Sequence, residues 1–145
     1  MAVKQTIVEA QKLIRFSTEV LEKVGLSTDD AAVTANLLVN TDLRGIASHG
    51  VAHLGPLYVK GIKEGLINPK PDIKIYSGAP ATAVMDGDRG LGFVVGNRGM
   101  QEAISRAKIT GIGCVAVRNT THFGACSAYS LLAVQNNMVG FASTT

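Results

Sequence analysis

The tetrapeptide Asn68-Pro69-Lys70-Pro71 divides the chain into two textures, and no regular helix runs through it. Each proline lacks an amide hydrogen and crowds the turn before it. Upstream, apolar residues recur at helical spacing. Ile7, Val8, Leu13, Ile14, Val20, Leu21 and Val24 form a first set, which stops at Gly25. Ser27-Thr28-Asp29-Asp30 opens a second helix, with a hydroxyl to cap it and acids to meet the positive end of its dipole. Ala31, Ala32, Ala35, Leu37, Leu38 and Val39 are its apolar positions, and it ends near Arg44-Gly45. A third helix is predicted from about Val51 to Glu64, stopping at Gly65.

Downstream of Pro71 the pattern changes. Ile73 to Ser77 and Thr82 to Asp86 are β-prone runs separated by Gly78-Ala79-Pro80. Phe93 to Lys108 reads as a helix. Cys114 to Val117 is a continuous apolar run of the kind found in buried parallel strands. Ala125 to Asn136 reads as a helix and Val139 to Ser143 as a last strand. The order is helices followed by β-β-α-β-α-β, which predicts an α/β fold with helices layered on a sheet. The expected organisation is a helical segment over residues 1–71 and an α/β segment over residues 72–145. Nothing after Ser143 covers the last strand, and no Asp or Glu occurs from Ala103 onward. An uncovered, uncharged strand end invites aggregation, so the chain reads as part of a larger unit.

The length of 145 residues is enough for one sizeable core, and 46% of the residues are hydrophobic. A net charge of +3, with basic residues scattered along the chain, argues against nucleic acid as a partner. No apolar run approaches a membrane span, and Met1-Ala2-Val3-Lys4-Gln5 lacks the apolar stretch of a signal peptide. The expectation is a cytoplasmic protein with no membrane partner. Cys114 and Cys126 then read as free thiols. Cys114 is expected to be buried filler. Cys126, four residues after His122, has the spacing to face the same site on a helix.

All three histidines fall in two short motifs, Ser48-His49-Gly50-Val51-Ala52-His53 and Thr121-His122-Phe123-Gly124. Imidazole changes charge near neutral pH, which makes it the usual proton carrier in catalysis. Glycine and hydroxyl neighbours suit a place where backbone and ligand come close. His49 and His53 are four apart, so a regular helix would put them on one face; with His122 they also form a candidate three-histidine metal site. Adjacent residues rarely point at one another, so Ser48 suits orienting the His49 imidazole or bonding substrate better than acting as its nucleophile. A second candidate is Asp86-Gly87-Asp88-Arg89-Gly90-Leu91-Gly92, which follows a strand and opens a helix. That context cradles phosphate in some folds. Its Gly-x-Gly-x-x-x-Gly spacing is one residue off the Rossmann fingerprint, and the acid expected about 20 residues later is missing, which favours a plain turn.

Taken in order, Arg44-Gly45-Ile46-Ala47-Ser48-His49-Gly50-Val51, Gly65-Leu66-Ile67-Asn68-Pro69, Asp86-Gly87 with Gly90-Leu91-Gly92, and Arg118-Asn119-Thr120-Thr121-His122-Phe123-Gly124-Ala125 resemble the malate/L-lactate dehydrogenase family. That family also contains ureidoglycolate, sulfolactate and diketogulonate dehydrogenases and an imino-acid reductase. The resemblance covers the whole chain. It implies a non-Rossmann fold, NAD or NADP as cofactor, a homodimer, and hydride exchange between nicotinamide and C2 of a 2-hydroxy or 2-oxo acid. It makes the second segment part of a cofactor-binding domain that is incomplete at its C-terminus, since family chains are more than twice as long. It implies a proton relay through Ser48 and His49, with His122 the second candidate proton donor. It places His122, Phe123, Gly124, Ala125 and Cys126 at the nicotinamide end of the cofactor. Arg44 and His53 are the candidate substrate-binding residues. Many members carry arginine at the position of His53, and a histidine does not reproduce that two-pronged grip on a carboxylate. Two alternatives stand beside this reading: a metal-dependent hydrolase using His49, His53 and His122, and a non-catalytic α/β module that assembles with a partner chain.

Overall fold

The computed structural model describes residues 7–144. Helices α1 (Ala10–Lys23) and α2 (Thr28–Leu43) lie against each other. α2 begins where the capping signal predicts, with the Ser27 hydroxyl accepting from the Asp30 amide at 3.2 Å. Leu21 of α1 and Ala31, Ala35 and Leu38 of α2 are wholly excluded from water. Each buried leucine contributes roughly 1.5–3 kcal/mol relative to an exposed one. No helix among the described residues is long and apolar enough to cross a membrane.

The predicted third helix is not regular. Ala47–His49 and Val51–His53 are single 3-10 turns, Leu54–Val59 is a π-helical wide turn, and only Lys60–Lys63 (α3) is α-helical. Pro56 is the physical reason: it has no amide to give to the preceding turn, and Gly55 beside it is a weak helix former. The wider spacing absorbs the defect, as π-bulges do, and such bulges are frequent at functional sites.

Strands β1 (Lys74–Ala79), β2 (Thr82–Gly90) and β3 (Cys114–Thr120) form one sheet in the order β1-β2-β3. β1 runs antiparallel to β2, and β3 runs parallel to it. Helix α4 (Gly92–Thr110) carries the crossover between β2 and β3. The register puts Ile75, Met85 and Val117 in one row, on the face that α4 covers; Gly99 of α4 sits over Val117 and Met85. Tyr76, Val84 and Ala116 form the next row, on the opposite face. Thr82 and Cys114 pair on that same open face, so Cys114 is exposed rather than buried, and β3 is a parallel strand without the burial expected of it.

Helix α5 (Ser127–Val134) follows. The strand predicted over Val139–Ser143 does not form, and Val139 and Phe141 stand exposed. A strand exists through its ladder to a neighbour, and this segment pairs with none of the three strands. The main core joins both sides of the proline break: Leu21, Leu38, Tyr58 and Ile62 pack with Phe93 and Val94 at the start of α4. This junction sets the irregular segment around residues 47–59 beside the chain leaving β3.

Candidate active site

The two histidine motifs meet at that junction. The imidazoles of His49 and His122 stack with ring centres 5.6 Å apart. His53 stands edge-on to both, at 6.5 Å from His49 and 6.4 Å from His122. Three side chains from positions 49, 53 and 122 thus share one patch. The Asp42 carboxylate fixes the first motif by accepting from the Val51 amide at 2.8 Å, which ties the 3-10 turns to the end of α2. His122 follows β3, whose parallel pairing with β2 delivers it to the same edge.

Each imidazole has a defined neighbour. Ser48 Oγ lies 3.0 Å from His49 Nδ1, so these adjacent residues do point at each other, because a 3-10 turn rather than an α-turn holds them. His53 Nε2 donates to the Ser48 carbonyl at 2.6 Å. A carbonyl only accepts, so the hydrogen of His53 resides on Nε2. His122 Nδ1 lies 2.9 Å from the hydroxyl of Tyr58. Partial removal from water, and then the neighbouring His49 and His53, hold the His122 pKa below the usual imidazole value. None of the ion pairs among the described residues involves a histidine.

Tyr58 escaped the sequence reading. Its ring is wholly buried, stacks on His122 at 6.1 Å and meets the edge of Phe93 at 5.3 Å. Tyr58 shares the buried side of this segment with Leu54 and Ile62, four residues to either side of it. The available signal was Gly55-Pro56 just before the tyrosine. A cleft of about 330 Å³ opens beside Tyr58 and His122, with Leu57, Lys60, Leu66 and Ile67 among its walls.

Phe123 stacks on Tyr129 at 4.8 Å, and its carbonyl accepts from the Tyr129 hydroxyl. Gly124 has φ +74° and packs on the Phe93 ring, where a side chain would be both strained and obstructed. Ala125 is half-buried, and Cys126 is exposed just before α5. Arg44 lies exposed at the end of α2, with no hydrogen bond or ion pair among the described residues that reaches the imidazoles.

Among the described residues no group of three His, Cys, Asp or Glu is arranged to hold a metal ion. The glycine-rich turn serves packing. A Cβ on Gly92 would come within 2.4 Å of the Thr121 and His122 carbonyls, so the first turn of α4 packs directly against the chain leaving β3. Asp88 accepts from Asn68 Nδ2 at 2.9 Å and the Asp72 amide at 3.0 Å, fastening the proline break to the sheet. Asp86 accepts from Asn119, the Asp88 amide and Arg118, and these contacts hold its carboxyl below the usual range.

The comparisons agree with this architecture. The family model described as malate/L-lactate dehydrogenase matches residues 8–145. The chain is 50% identical to the L-sulfolactate dehydrogenase of Methanocaldococcus jannaschii over 87% of its own length and 36% of that protein. It is 47% identical to a malate dehydrogenase of Pyrococcus abyssi over 92% of this chain and 36% of that one. The solved structure of the Methanocaldococcus jannaschii sulfolactate dehydrogenase superposes with a TM-score of 0.87 at 46% identity, covering 91% of this chain and 38% of its own. The chain therefore spans little more than a third of the length of these relatives. A family match from residue 8 to the last residue, with an α/β fold that superposes on a solved relative, makes this chain a member of the malate/L-lactate dehydrogenase family.

Proposed function

We propose that this chain carries the proton-transfer side of an NAD- or NADP-dependent oxidoreductase that interconverts 2-hydroxy and 2-oxo acids. The observation that carries the reading is the Ser48–His49 pair, in contact at 3.0 Å, set against His122 and His53 at one edge of the fold. When bound, the nicotinamide supplies or accepts the hydride at C2 of the acid. The donor set suits the nicotinamide end: His122 to Cys126 offer imidazole, backbone amides and a partly exposed surface.

His49 is the proton carrier. Its Nδ1 faces Ser48, which leaves Nε2 for the oxygen on C2. In oxidation Nε2 takes the hydroxyl proton, and in reduction it returns one, with the Ser48 hydroxyl holding the ring in register. His53 and Arg44 are the groups offered to the substrate carboxylate. His53 Nε2 is committed to the Ser48 carbonyl, so His53 presents a donor to an anion only when Nδ1 is protonated as well. A homodimer belongs to the same reading, as does the relatives' greater length. The test is His49→Ala in the complete protein, with NADH and NADPH and a panel of 2-oxo acids. The expected loss in turnover is about 10²–10⁴-fold; normal turnover in the variant would remove His49 from the role.

A further inference from the structure

We propose that Tyr58 is a positioning residue: its hydroxyl donates to Nδ1 of His122 and so holds that imidazole neutral, with its hydrogen on Nε2, as a fixed donor toward whatever the site binds. Tyr58 has no exposed surface, and its oxygen lies 2.9 Å from His122 Nδ1. Two arrangements satisfy that distance. Either the phenol donates to a bare Nδ1, or an Nδ1–H donates to the phenol oxygen. The second leaves the phenolic hydrogen without an acceptor among the described residues, where His122 Nδ1 is the hydroxyl's one hydrogen-bond contact. A buried donor left unmade favours the first arrangement by roughly tenfold or more.

The same logic opposes protonation of His122. An imidazolium donates from both nitrogens, so it would strand the phenolic hydrogen as well. Burial raises the pKa of Tyr58, so the phenol keeps its proton. The groups facing His122 are His49 and His53 across the cluster and Tyr58 beneath it, while Lys60 and Glu64, ion-paired at 3.9 Å, line the adjoining cleft. The other two imidazoles repel a second positive charge here. The consequence, which rests on the reading proposed above, is a division of labour. His49 carries the proton, and His122 offers a permanent N–H to a ligand oxygen.

The tautomer is measurable without substrate or turnover, which separates this inference from the dehydrogenase reading. In protein labelled with 15N-histidine, two-bond ring correlations report which nitrogen carries hydrogen, and His122→Asn assigns the signal. Above pH 7 the expected pattern is a single Nε2–H tautomer for His122. Tyr58→Phe, with an unchanged circular dichroism spectrum, is expected to show both tautomers in exchange. A wild-type signal with hydrogen on Nδ1, or an unchanged tautomer in Tyr58→Phe, overturns the proposal. Should Tyr58→Phe fail to fold, the wild-type signal alone decides. Inactivity toward every 2-oxo acid with the Nε2–H signal intact would instead count against the proposed reaction.

Discussion

The α1–α2 pair and the three-stranded sheet carry similar shares of apolar residues but bury them differently. Leu21, Ala31, Ala35 and Leu38 lose all contact with water, whereas Tyr76 and Val84, on the open face of the sheet, keep about half their surface, at 51% and 40%. A helix closes its own backbone hydrogen bonds and asks one neighbour to cover one stripe. A sheet has two faces, and here α4 covers one of them. Apolar alternation therefore reports a capacity for burial, and the neighbours decide whether it is used.

The sharpest way to break this contrast is to delete side-chain volume on both sides of it. Leu38→Ala opens a cavity in a closed layer and is expected to cost about 2–5 kcal/mol. Val84→Ala removes an open-face side chain already 40% in water and is expected to cost less than about 1 kcal/mol. Urea unfolding of the two variants measures both. Equal losses would mean that the sheet is covered in solution by something beyond these residues, and the comparison would need redrawing.

A middle-sized effect separates the regions along the pH axis. His122 belongs to the site edge, and its pKa in the folded chain lies below the ordinary 6.5. Between those two values the unfolded chain binds more protons than the folded one, so stability rises with pH in that window. It is complete above 6.5 and is lost as pH falls from there toward the lower folded value. Asp86 belongs to the sheet, and its pKa is lowered from 3.8 by the Asn119 side chain first, then the Asp88 amide, with Arg118 adding to them. Its contribution is complete above 3.8 and disappears only as pH falls further, through the folded value. Urea midpoints measured from pH 7.5 down to 3 are therefore expected to show two separate declines. His122→Asn should flatten the upper one and Asp86→Asn the lower. An upper decline that survives His122→Asn would assign it to another group.

Much of this was legible in the chain, and the failures share a cause. The Ser27 cap, the break at Pro69-Lys70-Pro71 and the positions of β1 to β3 follow from local chemistry, which a single sequence carries. The convergence of His49, His53 and His122 rested on composition: every histidine lay in a glycine- and hydroxyl-rich motif. Tyr58 was invisible because its partner His122 lies 64 residues further on, and local spacing shows only its burial beside Leu54 and Ile62. Cys114 and the segment Val139–Ser143 were misjudged because burial and strand pairing depend on partners that apolar content does not specify. The glycine-rich turn was half legible: its spacing argued against a nucleotide cradle, while its actual use, close approach of α4 to Thr121 and His122, required the tertiary structure.

The smallest expected effect tests the closed region from within, where one polar atom breaks the pattern. Ser17 sits fully buried on α1, and its hydroxyl is the one buried side-chain oxygen or nitrogen among the described residues without a hydrogen-bond partner. Other hydroxyls in these two helices solve the same problem locally: Thr18, Thr34 and Thr41 each donate to the carbonyl four residues back, at 2.7 to 2.9 Å. Ser17 makes no such bond. Ser17→Ala removes an unsatisfied group and adds the best helix former, while leaving almost no cavity. The expected result is a gain of about 0.5–1 kcal/mol, read as a higher urea midpoint at unchanged slope. A loss of similar size would mean that the hydroxyl does find an acceptor within the α1–α2 layer. In that case the two regions would differ in coverage alone, and no polar defect would remain in the better-packed one.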